Sequence, residues 1–180
     1  AAMTAEWAAG ALIAKEDART WFGAYHFDIS LPVFRGAWPA LWLIDLHPAP
    51  PSGDGMGIPP ETDILEHFRK DGFLSRFRTT HSFHTGPGYS SKNVISRNYT
   101  RLWPVDSNPM TLLFTWSPTG MAWTVNGRKV MTLGPETPGF PMKPMNLVIN
   151  AGIGPDWKPN PERFDDFIIR QASYHPLQNP

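Results

Sequence analysis

Glu61-Thr62-Asp63-Ile64-Leu65-Glu66 places three carboxylates within six residues of an apolar, aromatic-rich chain. Its flanks predict a strand. Successive strand side chains alternate faces, so Glu61 and Asp63 point the same way. Glu66, five residues from Glu61, falls on the opposite face under simple alternation. One extra residue, a β-bulge near Ile64 or Leu65, restores the phase. All three acids then line one surface, with the bulge beside them. Two carboxylates about 5–5.5 Å apart, one a nucleophile and one an acid/base, are what a retaining glycosidase uses. Three neighbouring acids also suit a solvated edge or an exposed turn. The aromatic surroundings tilt the choice toward a site.

Composition narrows the classes. The 180 residues read as one domain, 1–180, long enough to bury a core. Lys+Arg and Asp+Glu each total 16, so no global field draws nucleic acid or a membrane surface. Aromatics reach 13% with eight Trp, which suits a groove that stacks rings and also suits an ordinary core. Twenty Pro and 15 Gly predict many turns and few long helices. The absence of Cys excludes disulfides and thiolate metal sites. No apolar run approaches the ~20 residues of a membrane-spanning helix. The Ala-rich start, interrupted by Glu6 and without a basic lead, does not read as a signal peptide.

Around the acidic stretch the chain reads as short strands. Candidates are Trp21–Leu31, Ala37–Leu46, Leu74–Phe83, Asn93–Thr100, Thr111–Trp116, Met121–Val125, Lys129–Leu133, Met145–Ala151 and Phe164–Ser173. Ser117-Pro118-Thr119-Gly120 is a turn signal, and Asn126-Gly127 is a strong hairpin cue. His47–Pro60 is a long Pro/Gly loop leading into Glu61, the kind that often forms a lip over a site. No segment carries helical periodicity with caps. The class is all-β, and the number of short strands predicts a sandwich.

Four stretches, in order, resemble glycoside hydrolase family 16. Phe22 to Pro32 is similar to the family strand ending in an I-K-L-P-like segment. Gly36-Ala37-Trp38-Pro39-Ala40-Leu41-Trp42-Leu43 resembles G-x-W-P-A-F-W-L. Glu61 to Glu66 resembles the bulged E-x-D-x-x-E strand. Phe114 to Pro118 with Trp123 to Arg128 resembles x-x-W-T-P … W-Y-V-D-G-K. Asn146 to Asn150 and Phe164 to Tyr174 also fit. The resemblance implies a β-jelly-roll sandwich of two curved antiparallel sheets, with an open cleft on the concave face. It implies retaining endo-hydrolysis of a β-linked polysaccharide, of β-glucan or galactan type. Glu61 matches the nucleophile, Glu66 the general acid/base and Asp63 the carboxylate between them. The bulged spacing is similar to the laminarinase, agarase and carrageenase branches.

Some positions depart from the pattern. Thr62 replaces an aliphatic residue and is expected to point into the core. Ile58-Pro59-Pro60 stands where the family often has Trp and Gly. His26 and Asp28 replace Glu and Arg. The family normally has strands before the segment matched by Gly10-Ala11-Leu12-Ile13. A fragment, a processed chain or a compact variant would each account for their absence here, which would leave sheet edges unpaired.

The substrate-binding candidates are Trp38, Trp42, Trp116 and His81. Trp38 and Trp42 share strand parity, and the resemblance favours Trp38 and Trp116 for the cleft. Trp123 is a further platform candidate, with the core as the alternative for each indole; Trp103 reads as a loop anchor. His81 matches the family strand where a His approaches the acids. His84, His47, His67 and His175 have no such support, and the six His form no metal-ligand pattern, so a catalytic zinc is rejected. No cofactor is expected; a structural Ca²⁺ is compatible with the resemblance, but no residue pattern places it. Seven basic residues (69, 70, 76, 78, 92, 97, 101) could meet an anionic polymer or form a solvated face. Asn98-Tyr99-Thr100 fits a glycosylation sequon. The expected partner is a polysaccharide, with no nucleic acid and no membrane. The expected state is a monomer, unless another chain supplies the N-terminal strands, and the expected location is extracellular. The competing functions are a non-catalytic, lectin-like binding module and a transglycosylase.

Overall fold

The structure is a computed structural model and describes residues 10–45, 61–69, 73–85, 93–154 and 165–177, without the side chains of Glu16 and Ser107. The loop His47–Pro60 and residues 70 and 92 of the basic stretch lie outside them. Among the described residues, eleven strands form two antiparallel sheets. The first has six strands in the order β1 (Gly10–Ile13), β10 (Asn146–Ile153), β3 (Ala37–Ile44), β4 (Glu61–Glu66), β5 (Arg78–His84) and β6 (Val94–Thr100). The second has five: β11 (Ile168–Pro176), β2 (Gly23–Ser30), β7 (Met110–Ser117), β8 (Gly120–Val125) and β9 (Arg128–Leu133). Among the described residues there is no α-helix.

Alternation explains the layers. In β2, Tyr25, Phe27 and Ile29 are buried, and His26, Asp28 and Ser30 face the other way. In β7 the buried set is Met110, Leu112, Phe114 and Trp116, and in β8 it is Met121, Trp123 and Val125. These rows pack against Leu41, Leu43, Ile64, Leu65 and Phe83 of the six-stranded sheet. Fully burying one such aromatic or aliphatic side chain contributes about 1.5–3 kcal/mol, so this shared layer holds the sheets together. Asn126 and Gly127 join β8 to β9 with φ of 48° and 75°. That pair of positive values is what a type I′ hairpin requires, and Asn-Gly supplies it. The Asn126 carboxamide oxygen also accepts the Thr111 backbone N–H at 2.9 Å, hooking the turn to β7.

Two predicted strands need correction. Leu74–Phe83 is not one strand: Phe73–Phe77 is a 3₁₀ turn and the strand starts at Arg78. The turn brings Arg76 beside Asp106 (3.3 Å) and Ser75 beside Arg69 (2.9 Å), and that ion-pair cluster overrides the apolar run. The closing strand is Ile168–Pro176 rather than Phe164–Ser173, and its pairing with β2 slips between Ile169 and Gln171.

Candidate active site

The bulge sits where the acidic stretch demands it. Across β3, Leu65 opposes Leu41 while Asp63 opposes Trp42, leaving Ile64 as the extra residue. Across β5, Asp63 opposes Ser82 and Glu66 opposes Thr80. Ile64 and Leu65 both enter the core, although they are adjacent in sequence. The phase is thereby restored. Glu61, Asp63 and Glu66 share the outer face of the six-stranded sheet with Trp38, Ala40 and Trp42 of β3 and with Thr80, Ser82 and His84 of β5.

A bulge leaves ladder groups without strand partners, and an unsatisfied buried carbonyl costs about 1–3 kcal/mol. Two side chains beneath the strand meet that demand. Trp123 reaches across from the five-stranded sheet, and its indole N–H donates to the Asp63 carbonyl at 2.9 Å. His81 Nδ1 lies 2.7 Å from the Ile64 carbonyl, so Nδ1 carries the proton. Its Nε2 then accepts from the Thr79 hydroxyl at 3.0 Å. Burial pushes the His81 imidazole down to about 4 and so keeps it neutral. Thr62 is fully buried on this underside, the core-facing position expected of it.

This arrangement revises several expectations. His81 does not line the acid face; it is wholly buried below it. The histidine that meets the acids is His84, which pairs with Glu61 across β4 and β5. Its Nε2 lies 3.1 Å from Asp63 Oδ2 and 3.4 Å from Glu61 Oε1. Trp116 is not a platform either: it is fully buried between the sheets, and its N–H donates to the Pro141 carbonyl at 3.1 Å. Trp123 is likewise a core residue. Trp38 and Trp42 are half-buried on the acid face. The Trp38 indole N–H donates to Glu66 Oε1 at 3.0 Å. The Trp42 indole N–H donates to Asn150 Oδ1 at 2.7 Å.

The acids are electrostatically unlike ordinary surface carboxylates. Burial, then the Asp63 charge, pushes the Glu66 carboxyl up to about 8, against the Trp38 hydrogen bond and the electrostatic effect of His84. Burial also raises Asp63. Two close, desolvated carboxyls do not both ionise readily, so the pair retains a proton well above the usual carboxylate range. Glu61, Asp63 and His84 each offer one ligand atom, all within 4.8 Å of one another, a set that could hold a divalent cation. In the structure these atoms are already in hydrogen-bonding contact around the imidazole.

Beside the acids, β5 and β6 present a polar ladder. Thr80 donates to Asn98 at 3.1 Å and Ser96 donates to Ser82 at 3.1 Å. The sequon residue Asn98 is therefore on this face. The basic stretch is divided. Arg69 and Arg76 lie on buried Asp106, at 3.2 and 3.3 Å, and are fastenings of the fold. Arg78 shares the parity of Thr80 and Ser82, whereas Arg97 pairs with His81 and faces the other way. His67 is buried, with Nδ1 3.0 Å from the Arg78 carbonyl. His26 and Asp28 lie on the outer side of the five-stranded sheet, remote from the acids. Sequence reasoning passed over His84, Asn150 and the support role of Trp123. The register Glu61–His84 would have exposed His84, but that register depends on the irregular connection between β4 and β5.

The two sheets define a jelly-roll sandwich, with the carboxylate-bearing strand inside the six-stranded sheet. Residues 2–166 match Glycosyl hydrolases family 16, and the chain belongs to that family. Among curated proteins no sequence matches the chain. Among solved structures, the laminarinase catalytic domain of Thermotoga maritima MSB8 is similar, with 21% identity and a TM-score of 0.65, over 80% of this chain and 58% of that one. The endo-β-1,3-glucanase of Pyrococcus furiosus has 22% identity and a TM-score of 0.61, over 88% and 63%. A Bacteroides ovatus family 16 protein, solved with a G4G4G3G product, has 20% identity and a TM-score of 0.61, over 80% and 61%. The chain thus spans about three-fifths of the length of these relatives.

Proposed function

We propose that this chain is a retaining endo-hydrolase of a β-linked polysaccharide, with a β-glucan as the first substrate class to assay. The observation that carries the reading is the bulge, which gathers Glu61, Asp63 and Glu66 on one face. Glu61 attacks the anomeric carbon while Glu66 gives its proton to the departing glycosidic oxygen. A glycosyl ester on Glu61 results. Glu66, now a carboxylate, takes a proton from water; the water oxygen bonds to the anomeric carbon and Glu61 is released. The raised Glu66 pKa suits the acid role, since a general acid must hold its proton near the working pH. Asp63 and His84 form a bridge beside Glu61 that sets its charge and rotamer. Trp38 and Trp42 supply apolar ring surface for the sugars. A polymer substrate places the action outside the cell.

The test is reducing-end release by wild type and Glu61→Gln on laminarin, mixed-linkage β-glucan, agarose and carrageenan. Release by wild type alone supports the proposal. Equal release by both proteins refutes the role of Glu61. Binding without release favours the lectin-like module, and products longer than the starting oligosaccharide favour transglycosylation.

A further inference from the structure

We infer that Asn150 is a positioning residue that aligns the indole of Trp42 with the sugar path and, through Trp38, aims the proton of Glu66. The inference rests on the glycosidase reading above for its consequence, but not for its geometry. Asn150 stands on β10 opposite Ala40, midway between Trp38 and Trp42 on the neighbouring strand. Its carboxamide oxygen accepts the Trp42 indole N–H at 2.7 Å, and its nitrogen reaches the Trp38 carbonyl at 3.4 Å. An indole N–H only donates and a carbonyl only accepts, so both partners dictate the same orientation of the amide. A single side chain therefore bridges the two half-buried tryptophans, through the indole of Trp42 and the backbone of Trp38.

The surroundings are cut to admit it. Gly152 faces Trp38 across the pair of strands. A Cβ at Gly152 would lie 2.9 Å from the Trp38 carbonyl oxygen and 3.2 Å from the Asn150 nitrogen. The missing side chain is the space that the amide uses. Asn is depleted within strands, so packing preference does not account for the residue.

The consequence runs through Trp38. Its indole N–H donates to Glu66 Oε1 at 3.0 Å. An oxygen that accepts an N–H there is the carbonyl-like oxygen of a protonated carboxyl, so the acidic proton sits on Oε2. Holding the Trp38 backbone holds that choice. The titratable groups set against Glu66 are Asp63 on its own strand and His84 on β5. β3 and β10 carry no charged residue on either face.

The experiment compares Asn150→Leu and Asn150→Asp with wild type and Trp38→Phe, by two readouts. The first needs no substrate: indole ¹H–¹⁵N resonances followed against pH, where the Trp38 resonance reports the charge on Glu66. Losing the tie weakens the hydrogen bond that favours ionised Glu66. In Asn150→Leu we expect the Trp42 resonance to move and the Trp38 titration to shift upward, a proton-affinity gain of about threefold. The second readout is kcat and KM on laminarihexaose against pH. Asn150→Leu should raise KM and move the alkaline limb of kcat/KM upward. Asn150→Asp keeps the acceptor for Trp42 but loses the donor to Trp38. It should leave KM and the Trp42 resonance near wild type; because its own carboxylate also raises Glu66, the shift of the limb is read from Asn150→Leu and Trp38→Phe. Asn150→Ala, which removes both hydrogen bonds without adding charge or bulk, decides the matter if Asn150→Leu does not fold. Unchanged indole resonances and an unchanged Trp38 titration in a folded variant would overturn the inference, even if wild type is active. No hydrolysis by wild type would instead overturn the glycosidase reading, and the resonances would still decide the role of Asn150.

Discussion

His81 and His84 lie three residues apart on one strand, yet they inhabit different chemistry. His84 faces outward, within 3.1–3.4 Å of Asp63 and Glu61. His81 faces inward, wholly buried and bonded to the carbonyl of the bulge. The tryptophans divide the same way. Trp38 and Trp42 present indoles beside the acids, while Trp116 and Trp123 fill the space between the sheets. One face of β4 carries the three carboxylates, and the other holds the irregular backbone that brings them together. Residue type alone does not reveal the side; parity and register do.

The comparison can be broken from the outer face first. Glu61→Gln or Glu66→Gln should leave the unfolding midpoint nearly unchanged near pH 5 and reduce turnover by about 10²–10⁴-fold or more. Steady-state rates and thermal melts on the same preparations check this. Next, the inner face: Trp116→Ala should destabilise the fold by about 3–5 kcal/mol in urea titration. Trp42→Ala should raise KM with little change in the urea midpoint. If the two variants exchanged these effects, the assignment of faces would be wrong.

A smaller change sharpens the role of the underside. Trp123→Phe keeps most of the ring but leaves the Asp63 carbonyl without its donor, which should cost about 1–3 kcal/mol. Because that carbonyl belongs to the bulge, activity should fall further than in a Met131→Leu control of the same core. A rate loss no greater than the control would separate Trp123 from the geometry of the acids.

The gentlest probe is pH. Native Glu66 keeps a proton that the unfolded chain releases, since its pKa is raised from 4.5 to about 8. Its contribution to stability is therefore present at low pH and lost as pH rises through that window. Glu66→Gln should remove this part of the slope, and the variant should gain on wild type between pH 5 and 8. His81 and His67 act oppositely. Both are lowered from 6.5 to about 4 by burial, so stability falls as pH drops through that interval. Melting curves across pH 4–9 for wild type, Glu66→Gln and His81→Leu would resolve the two limbs.

Much of this was legible in the residues. The five-residue spacing of Glu61 and Glu66 calls for one extra residue in the strand, and the slip at Ile64 supplies it. Alternation exposed the inward rows of β2 and β7, and Asn126-Gly127 marked its hairpin. What stayed hidden depended on partners distant in sequence. The strand at Leu74 gave way to a turn because Arg69 and Arg76 converge on Asp106, thirty or more residues on. The sequence points to His81 in place of His84 because the choice between them rests on a register that the turn before β5 sets. Trp116 and Trp42 could not be separated without knowing which sheet each strand joins.

On the proposed function, the bulge presents Glu61 as the nucleophile beside an acid at Glu66. The most direct measurement is incubation with a 2-deoxy-2-fluoro β-gluco-oligosaccharide bearing a dinitrophenyl leaving group, followed by peptide mass spectrometry. The account predicts one glycosyl adduct on the peptide spanning 61–66, located on Glu61 and absent from Glu61→Gln. An adduct on Glu66, or one on wild type that persists in Glu61→Gln, would contradict it.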